Sequence, residues 1–239
     1  MENQITEQVA RKVLTTVDAG LVKGVGIAKP GQMCVEAAVC YALDLPHGDD
    51  PICVSRALRS LKIRLNDSNW SSNEARAKGL RRLALIQLGS AGHLDDKEFS
   101  KRCAELAIRK SVPLALRAAA SIQKDIHKAA AMLDAADRCE KEGTRDAALV
   151  GKRAAAYAAD AADAADAAAY AAYAAYATTA YAADHAAAAA AYAAYAADAA
   201  TKKAETRDAA LADFCEGIVQ ILIDMKVPGI KWLFLAPKA

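Results

Sequence analysis

The feature that most constrains the fold of this chain is a run of 65 residues, 152–216, that contains neither glycine nor proline. Alanine dominates it: the 239-residue chain has 62 alanines, and 32 of them lie between positions 151 and 200. Because alanine has the highest intrinsic helix propensity, the sequence predicts a long alanine-rich helical segment over 144–216. A single helix of this length would extend about 98 Å, so we expect a break, with Thr178-Thr179 and Asp184-His185 as the weakest points.

The rest of the chain also favours helices. Ile5, Val9, Val13 and Val17 recur at every fourth position, which predicts a helix over 3–19. Further helices are expected at 32–43, at 51–65 after a cap at Asp50, at 71–88 after a capping box at Ser71 and Glu74, and from Asp95 or Asp96 to a point before Pro113. Two more are expected at 113–123 and at 125–140, the second closed by Gly143. Runs of alternating β-branched residues are missing from the sequence. The fold class is therefore predicted to be all-α, as a multi-helix bundle or helical array.

Two parts of the chain differ in amino-acid composition. Residues 1–143 are predicted to form a helical core domain, and residues 144–239 an alanine-rich helical segment with a C-terminal closing helix and tail, packed on the core as one unit. The hexapeptide TRDAAL occurs at 144–149 and again at 206–211, which indicates duplication within a helical array. The apolar tail at 227–235 is expected to fold back on the core, or, if exposed, to dock a partner.

Charge and cysteine usage exclude several classes of protein. Lysine and arginine (31) nearly balance aspartate and glutamate (29), which argues against a nucleic-acid-coating tail. The N-terminus lacks the pattern of a signal peptide, and the uncharged stretch 167–183 is too rich in alanine and tyrosine to span a membrane. None of the six cysteines is in a C-x-x-C pair. We therefore expect a cytoplasmic protein with reduced thiols, no membrane association and no cofactor.

Large side chains recur in the alanine run with a period of eleven residues. Eleven residues are close to three helical turns, so these side chains form one slowly drifting stripe. The tyrosine stripe comprises Tyr170, Tyr173, Tyr181, Tyr192 and Tyr195, with Asp184 at an equivalent position. The stripe either docks a partner, to which tyrosine is well suited, or packs on the preceding helices and supplies the bulk that alanine lacks.

The segment 24–53 contains the residues best suited to chemistry. Cys34 is predicted in the first turn of the helix at 32–43, where the helix dipole lowers a thiol pKa, so Cys34 and His47 are candidates for a thiol hydrolase. These two residues would lie at opposite ends of that helix, about 15–20 Å apart. His93 or His127 would then have to supply the base. The alternative is that Cys34 is a buried structural cysteine.

A metal site is the second chemical hypothesis for the same segment. The turn at 46–50 could bring Cys40, His47 and Cys53 together, although their spacing matches no standard zinc pattern. The alternative is that both cysteines are buried without a ligand.

Residues 56–82 carry a local charge of +6, which predicts a basic patch on two consecutive helices. The patch comprises Arg56, Arg59, Lys62, Arg64, Arg76, Lys78, Arg81 and Arg82. Such a surface could bind phosphates or an acidic protein. The alternative is two solvated helix faces without a binding role.

The succession of short helices, followed by Ala-Tyr-Ala-Ala and Asp-Ala-Ala runs, resembles the alanine-rich immunity proteins of bacterial toxin systems over about residues 113–215. No site residue is transferred from this resemblance. Because the sequence contains no complete catalytic constellation, we expect a non-catalytic interaction protein that sequesters or inhibits a protein partner or associates with itself. The alternatives are a Cys34-dependent enzyme and nucleic-acid binding through 56–82.

Overall fold

A computed structural model of the chain describes residues 5–158 and 183–238, and the regular elements in these ranges are helical, which confirms the all-α prediction. One isolated antiparallel bridge joins Gly26 to Met33. The α-helices are α1 (Glu7–Asp18), α2 (Val35–Ala42), α3 (Arg56–Asn66), α4 (Asn73–Ile86), α5 (Asp96–Leu106), α6 (Val112–Ile122), α7 (Ile126–Glu142), α8 (Arg145–Ala158), α9 (Ala183–Thr201) and α10 (Ala204–Asp224). A π-helical turn spans Ala107–Ser111, and a 3-10 helix spans Pro228–Leu235.

Short polar side chains fix where several helices begin, because each accepts a hydrogen bond from a backbone N–H of the first turn. The capping residues are Thr6 for α1, Ser55 for α3, Ser72 for α4 and Asp125 for α7. The predicted cap at Asp50 is therefore wrong. Val54 N–H bonds to the carbonyl of Pro51 and closes a separate turn, so α3 begins only after Ser55. The cap of α4 is Ser72, one residue after the predicted cap at Ser71.

The helix that was expected to end before Pro113 instead continues past it. Proline has no N–H to offer the carbonyl four residues earlier, and the π-helical turn between α5 and α6 lies at this point. That turn also places Arg109, whose guanidinium donates to the carbonyls of Glu140, Lys141 and Glu142 at 2.8–3.0 Å. Arg109 thereby satisfies the last carbonyls of α7, which ends at the left-handed Gly143 as predicted.

The chain divides into two compact units, and unit 1 comprises residues 1–99 and 215–239. Its core is built from the leucines of α3 and α4 and from α2, in which seven of the eight residues are buried. The 3-10 helix packs on α4, where Gly229 lies against the backbone of Ile86 and Trp232 is buried. Arg82 donates to the carbonyl of Ala236 at 2.7 Å, so the apolar tail folds back within unit 1.

Unit 2 comprises residues 100–214 and is packed largely through alanine. Its core joins α6, α7, α8 and α9, and its larger members include Val112, Leu116 and Met132. The buried alanines of this core are Ala115, Ala119, Ala120, Ala135, Ala136, Ala147, Ala148, Ala155, Ala158, Ala193 and Ala196. Because the alanine side chain is only a methyl group, the helix backbones can approach each other closely. Gly151 also allows a close approach, since a Cβ at this position would lie 3.1 Å from Leu116.

The limits of the two units lie at 99/100 and at 214/215, whereas the sequence analysis placed one boundary at 143/144. The alanine-rich helices α8 and α9 pack on α6 and α7, because the small side chains of all four helices form one cluster. The segment from Cys215 onward belongs to unit 1 instead, with the tail described above. The alanine-rich segment is therefore grouped with its preceding helices and separated from the C-terminal residues.

The alanine run is interrupted after Thr201, where Lys202 has a left-handed backbone (φ 56°) and separates α9 from α10. Asp184 and His185 lie in the first turn of α9 as it is described from Ala183, and Thr178-Thr179 lies outside the described residues. No helix within 5–158 and 183–238 combines the length and apolar character needed to cross a membrane.

Gly79 in α4 offers a test of the packing of unit 1. A Cβ at this position would overlap the ring of Trp70, which is buried and donates Nε1–H to the carbonyl of Leu65 at 2.9 Å. In an exposed helix, glycine to alanine stabilises by up to about 1 kcal/mol. Here we expect Gly79→Ala to lower the free energy of unfolding by about 1–3 kcal/mol in urea titrations.

The matched control is Gly48→Ala, because a Cβ at Gly48 would contact nothing within 4 Å. We expect that variant to stay within about 0.5 kcal/mol of the wild type. Equal stability of the Gly79→Ala protein and the wild type would contradict the close contact with Trp70.

Candidate functional site

A buried ion pair lies at the centre of unit 1. Glu36 on α2 and Lys62 on α3 are both completely buried, and Lys62 Nζ lies 2.7 Å from Glu36 Oε1. Helix α2 is otherwise almost wholly apolar, and Lys62 shares the inner face of α3 with Leu58 and Leu65. Charged groups in such surroundings are stable only when paired, because withdrawing each of them from water costs several kcal/mol.

The two charges of the pair are only partly satisfied. Burial raises the pKa of the Glu36 carboxyl and lowers the pKa of the Lys62 ammonium, and the charge of each partner opposes the shift of the other. The 2.7 Å contact between Lys62 Nζ and Glu36 Oε1 is a charge-assisted hydrogen bond, and within the described residues neither side chain has a second hydrogen-bond partner. The pair is therefore held by close opposite charge and by this one bond.

Beside the pair is a cavity of about 70 Å³, which we call the acidic cavity. It is lined by Gly24, Val25, Cys34, Val35, Glu36, Asp49, Ile63, Asn66 and Asp67. Three of these nine residues are carboxylates. Glu36 is fully buried, whereas the Asp49 side chain is 33% exposed and Asp67 is half-buried, so the cavity leads from solvent towards the ion pair.

The residues at the end of α3 hold the loop that forms one wall of the cavity. Asn66 accepts from Val35 N–H at 3.2 Å and donates to the carbonyl of Val22 and to Asp67 Oδ1, both at 2.9 Å. The same Asp67 oxygen accepts from Gly24 N–H at 2.8 Å. These bonds fix the loop between α1 and α2 against α3.

The other exposed carboxylate of the cavity is held by Arg59. Its guanidinium donates to the Asp49 carbonyl at 2.6 Å and to Asp49 Oδ1 at 2.8 Å, and it lies 3.3 Å from Asp50. The three carboxylates of the cavity thus face two cations, Arg59 and Lys62, whereas Asp67 bonds only to neutral N–H groups. The lining has an excess of negative charge.

Cys34 caps α2 and does not have the lowered pKa that its position predicted. Its Sγ accepts from Ala37 N–H at 3.3 Å, but burial raises the thiol pKa by more than this bond lowers it. Burial and the nearby Glu36 carboxylate raise the pKa of Cys40 to about 11, and burial also raises the pKa of Cys53. These cysteines are therefore thiols near neutral pH, and weak nucleophiles.

His47, the candidate partner of Cys34 and a candidate metal ligand, lies at the surface of unit 1. His47 is exposed, and its Nε2 is 3.0 Å from the carbonyl of Gly26. Among the described residues no group of three His, Cys, Asp or Glu side chains is arranged to hold a metal ion. Cys40, His47 and Cys53 therefore do not form the predicted metal site, because both cysteines are partly or fully enclosed while His47 bonds to a surface loop.

Five of the eight residues of the predicted basic patch are buried or paired with carboxylates. Lys62 is paired inside unit 1, and Arg76 is buried with its guanidinium on the carbonyls of Leu21 and Asn66. The other three pair with carboxylates: Arg59 with Asp49, Arg81 with Asp18 and Arg82 with Glu216. The exposed remainder is Arg56, Arg64 and Lys78. The charge count along 56–82 therefore included residues whose positive charge is paired or buried in the folded protein.

The tyrosine stripe is described only in part. Tyr170, Tyr173 and Tyr181 lie outside the described residues. Tyr192 and Tyr195 are half-buried on α9, and Tyr192 packs against the alanine-rich core of unit 2. For Tyr192 this is the arrangement expected of a side chain that supplies bulk to an alanine-rich core. A partner-binding role for the stripe stays a prediction.

Sequence reasoning missed Glu36, Asn66 and Asp67 and misread Lys62. A signal was present, because Lys62 follows Leu58 by four positions and precedes Leu65 by three, which places it on the apolar face of α3. The second part of the signal was Glu36, the single acidic residue in the otherwise apolar stretch 35–42. The two together indicate a buried ion pair.

Comparison with protein-family models, curated proteins and solved structures finds no match for this chain. Function is therefore argued from the residues and geometry described above.

Removing one partner of the ion pair tests its contribution to stability. We expect Lys62→Met to lower the free energy of unfolding by about 3–5 kcal/mol, since it leaves Glu36 buried without a counter-charge. The double variant Glu36→Gln, Lys62→Met should recover most of this loss, because no uncompensated charge remains. Lys78→Met on the exposed face of α4 is the control, and a Lys62→Met protein as stable as this control would contradict the pairing.

Thiol labelling tests the ionisation state of Cys34. Because its pKa is raised, the reactive thiolate is scarce at pH 7.5, and iodoacetamide should label native Cys34 at least about tenfold more slowly than the unfolded protein. The rate should increase as the pH is raised above 9. Peptide mass spectrometry resolves each cysteine, and rapid selective labelling of native Cys34 at pH 7 would instead support the enzyme hypothesis.

Proposed function

We propose that this chain is a non-catalytic helical binding protein that sequesters or inhibits a protein partner through an exposed apolar surface of unit 1. The observation that carries the proposal is the exposure of apolar side chains on two loops that the contact between His47 Nε2 and the Gly26 carbonyl joins. On the first loop Ile27 is 57% exposed and Val25 is 36% exposed, and on the second Ile52 is 65% exposed. We call these three residues the loop surface. Exposed apolar side chains that lie together are typical of contact sites for other proteins, and we propose that these three form such a site.

The loops that carry the surface are well ordered by their own hydrogen bonds. Ile27 N–H bonds to the carbonyl of Gln32 at 2.8 Å, and Cys34 N–H bonds to the carbonyl of Val25 at 3.2 Å. The contact between His47 and the Gly26 carbonyl joins this loop to the one that leads to Ile52. A surface held in this way loses little conformational entropy when a partner binds, which favours affinity.

The two alternatives are less well supported. A Cys34-dependent enzyme needs a thiolate near a base, whereas the pKa of Cys34 is raised by burial and His47 bonds to Gly26. Nucleic-acid binding through 56–82 needs a cationic surface, whereas five of the eight basic residues there are paired or buried. Binding of a protein partner requires neither.

We place this activity in the cytoplasm, since all six cysteines are free thiols, as a reducing compartment maintains them. Sequestering or inhibiting a partner is also what the sequence analysis expected, because the sequence contains no complete catalytic constellation. A second copy of the chain is an alternative occupant of the loop surface, and it would be detected as a dimer.

Partner capture tests the proposal. The full chain, immobilised and exposed to extract from its own cells, should retain a reproducible set of proteins, and the double variant Ile27→Ser, Ile52→Ser should reduce that retention by about tenfold or more. The matched control is Ile126→Ser, which alters an isoleucine that is 75% exposed in unit 2. Self-association is measured in parallel by sedimentation.

A third variant, Tyr170→Ala, Tyr181→Ala, Tyr192→Ala, compares the loop surface with the tyrosine stripe. Circular dichroism establishes that each variant is folded. Loss of capture in the stripe variant together with full capture in the loop variant would reject the loop surface and assign binding to the stripe.

A further inference from the structure

Helix α7 of unit 2 exposes large apolar side chains on the face that points away from the core. Ile126 is 75% exposed and Leu133 is 43% exposed, whereas Met132 and Cys139 on the inner face are buried. Ile126, Ala130 and Leu133 follow one another by four and three positions, so they form one stripe along the helix. We call this stripe the α7 face. It belongs neither to the core of unit 2 nor to the loop surface of unit 1.

We propose that the α7 face packs against the α7 face of a second copy of the chain, in antiparallel orientation, and that the protein is a homodimer joined through unit 2. The inference is separate from the proposed function, which concerns unit 1. It rests on two observations: the order of the apolar residues along α7 and the order of the charges beside them. Both make the face complementary to itself.

The apolar residues of the α7 face are arranged almost symmetrically about Ala130. A two-fold interface needs a surface that is complementary to itself, because the same residues meet from both sides. When two antiparallel copies of α7 meet at Ala130, Ile126 of each copy lies opposite Leu133 of the other. The two contacts fall at nearly equal distances from the axis, since Ala130 is four positions from one residue and three from the other. The methyl group at the axis lets the two helix backbones approach closely.

The charges beside the α7 face differ between its two ends. Basic side chains are exposed near its start, Lys124 and His127, and acidic ones further along, Asp134 and Asp137. With Ala130 at the axis, His127 lies opposite Asp134 of the second copy, and an imidazole donates a hydrogen bond to a carboxylate in either protonation state. In the same register Lys124 lies opposite Asp137. A parallel pair would instead place Asp134 against Asp134, so the charges favour the antiparallel one.

The acidic end of the α7 face has a charge left for the second copy. Arg117 on α6 donates to Asp137 at 2.8 Å and to Glu140 at 2.5 Å, so one guanidinium serves two carboxylates. Both carboxylates are largely exposed, at 73% and 58% of the side chain. This group of three residues therefore carries one net negative charge, which Lys124 of the second copy meets in the antiparallel pair.

Sedimentation equilibrium of the full chain tests the dimer. The interface is small, with one helix from each copy, so we expect a dissociation constant of about 1–100 µM. Ile126→Ser alters a side chain that contributes little to the packing of unit 2, and it should weaken the dimer about tenfold or more. The control is Tyr157→Ser, at a position of α8 that is 60% exposed, and it should leave the dissociation constant within about twofold.

Charge reversal tests the orientation of the two helices. His127→Glu places a carboxylate against Asp134 of the second copy, and Asp134→Lys removes that acceptor and adds a positive charge. Each change acts twice in a two-fold interface, so we expect each variant alone to dimerise about tenfold more weakly. Mixed in equal amounts, the two variants should form a heterodimer, because the introduced carboxylate of one chain then meets the introduced ammonium of the other. Native mass spectrometry separates the three dimers by mass, and circular dichroism establishes that each variant is folded.

Cross-linking tests the register. Because Ala130 faces its own copy at the axis, Ala130→Cys should form a disulfide between two chains in oxidised glutathione. The native thiols contribute little, since five are buried and Cys53 is half-buried. The matched control is Ala156→Cys, at an exposed alanine of α8 in the same unit. We expect the cysteine at position 130 to cross-link at least about tenfold faster, since a disulfide needs Cα atoms within about 7 Å.

Four results would overturn the inference: a chain that stays monomeric up to about 1 mM, well above the expected dissociation constant; a dimer that Ile126→Ser does not weaken; a mixture of the two charge variants in which heterodimers are no more frequent than random pairing gives; or equal cross-linking of the two cysteine variants.

Failure here is distinguishable from failure of the proposed function. Ile126 belongs to the α7 face and not to the loop surface, so Ile126→Ser is the control for capture and the disrupting variant for the dimer. If the chain is monomeric but Ile27→Ser, Ile52→Ser abolishes capture, the binding protein stands and only the dimer is rejected. A dimer that dissociates in the loop variant and persists in Ile126→Ser would assign self-association to the loop surface and reject the α7 face.

Discussion

Two charges withdrawn from water, those of Lys62 and Glu36, set the strictest condition on unit 1. A buried pair of this kind adds little to stability compared with apolar residues of similar size, but losing one member is severe. It therefore acts mainly as a constraint on arrangement, because α2 and α3 can pack only in the register that brings the two side chains within 2.7 Å. The bonds of Asn66 and Asp67 to the adjoining loop are made from the end of the same α3.

The candidate site follows from this constraint. Once Glu36 is fixed inside unit 1, it lines a cavity whose wall is the loop held by Asn66 and Asp67. That loop also carries Val25 and Ile27 outward. One loop therefore lies between the interior charge and the exposed apolar groups.

Much of the fold was predictable because local rules decided it. The helix stop at Gly143 and the cap role of Asp95 depend on single residues and their immediate neighbours, and both are present. The fate of the charges was not predictable in the same way. Whether a lysine such as Lys62 faces solvent or a carboxylate depends on which helix packs on it, and its partner Glu36 is 26 positions away. Counting charge along 56–82 therefore produced a patch that tertiary pairing removes.

The discontinuity of unit 1 has a consequence for how the protein is made. The 3-10 helix that covers α4 is translated only after the whole of unit 2. While the chain emerges from the ribosome, unit 2 has all its segments available and can complete its local helix pairs first, whereas α4 must wait with its apolar face near Ile86 uncovered. The nascent protein thus passes through a stage in which unit 1 is unfinished, and chaperone binding at α4 would fall in that interval.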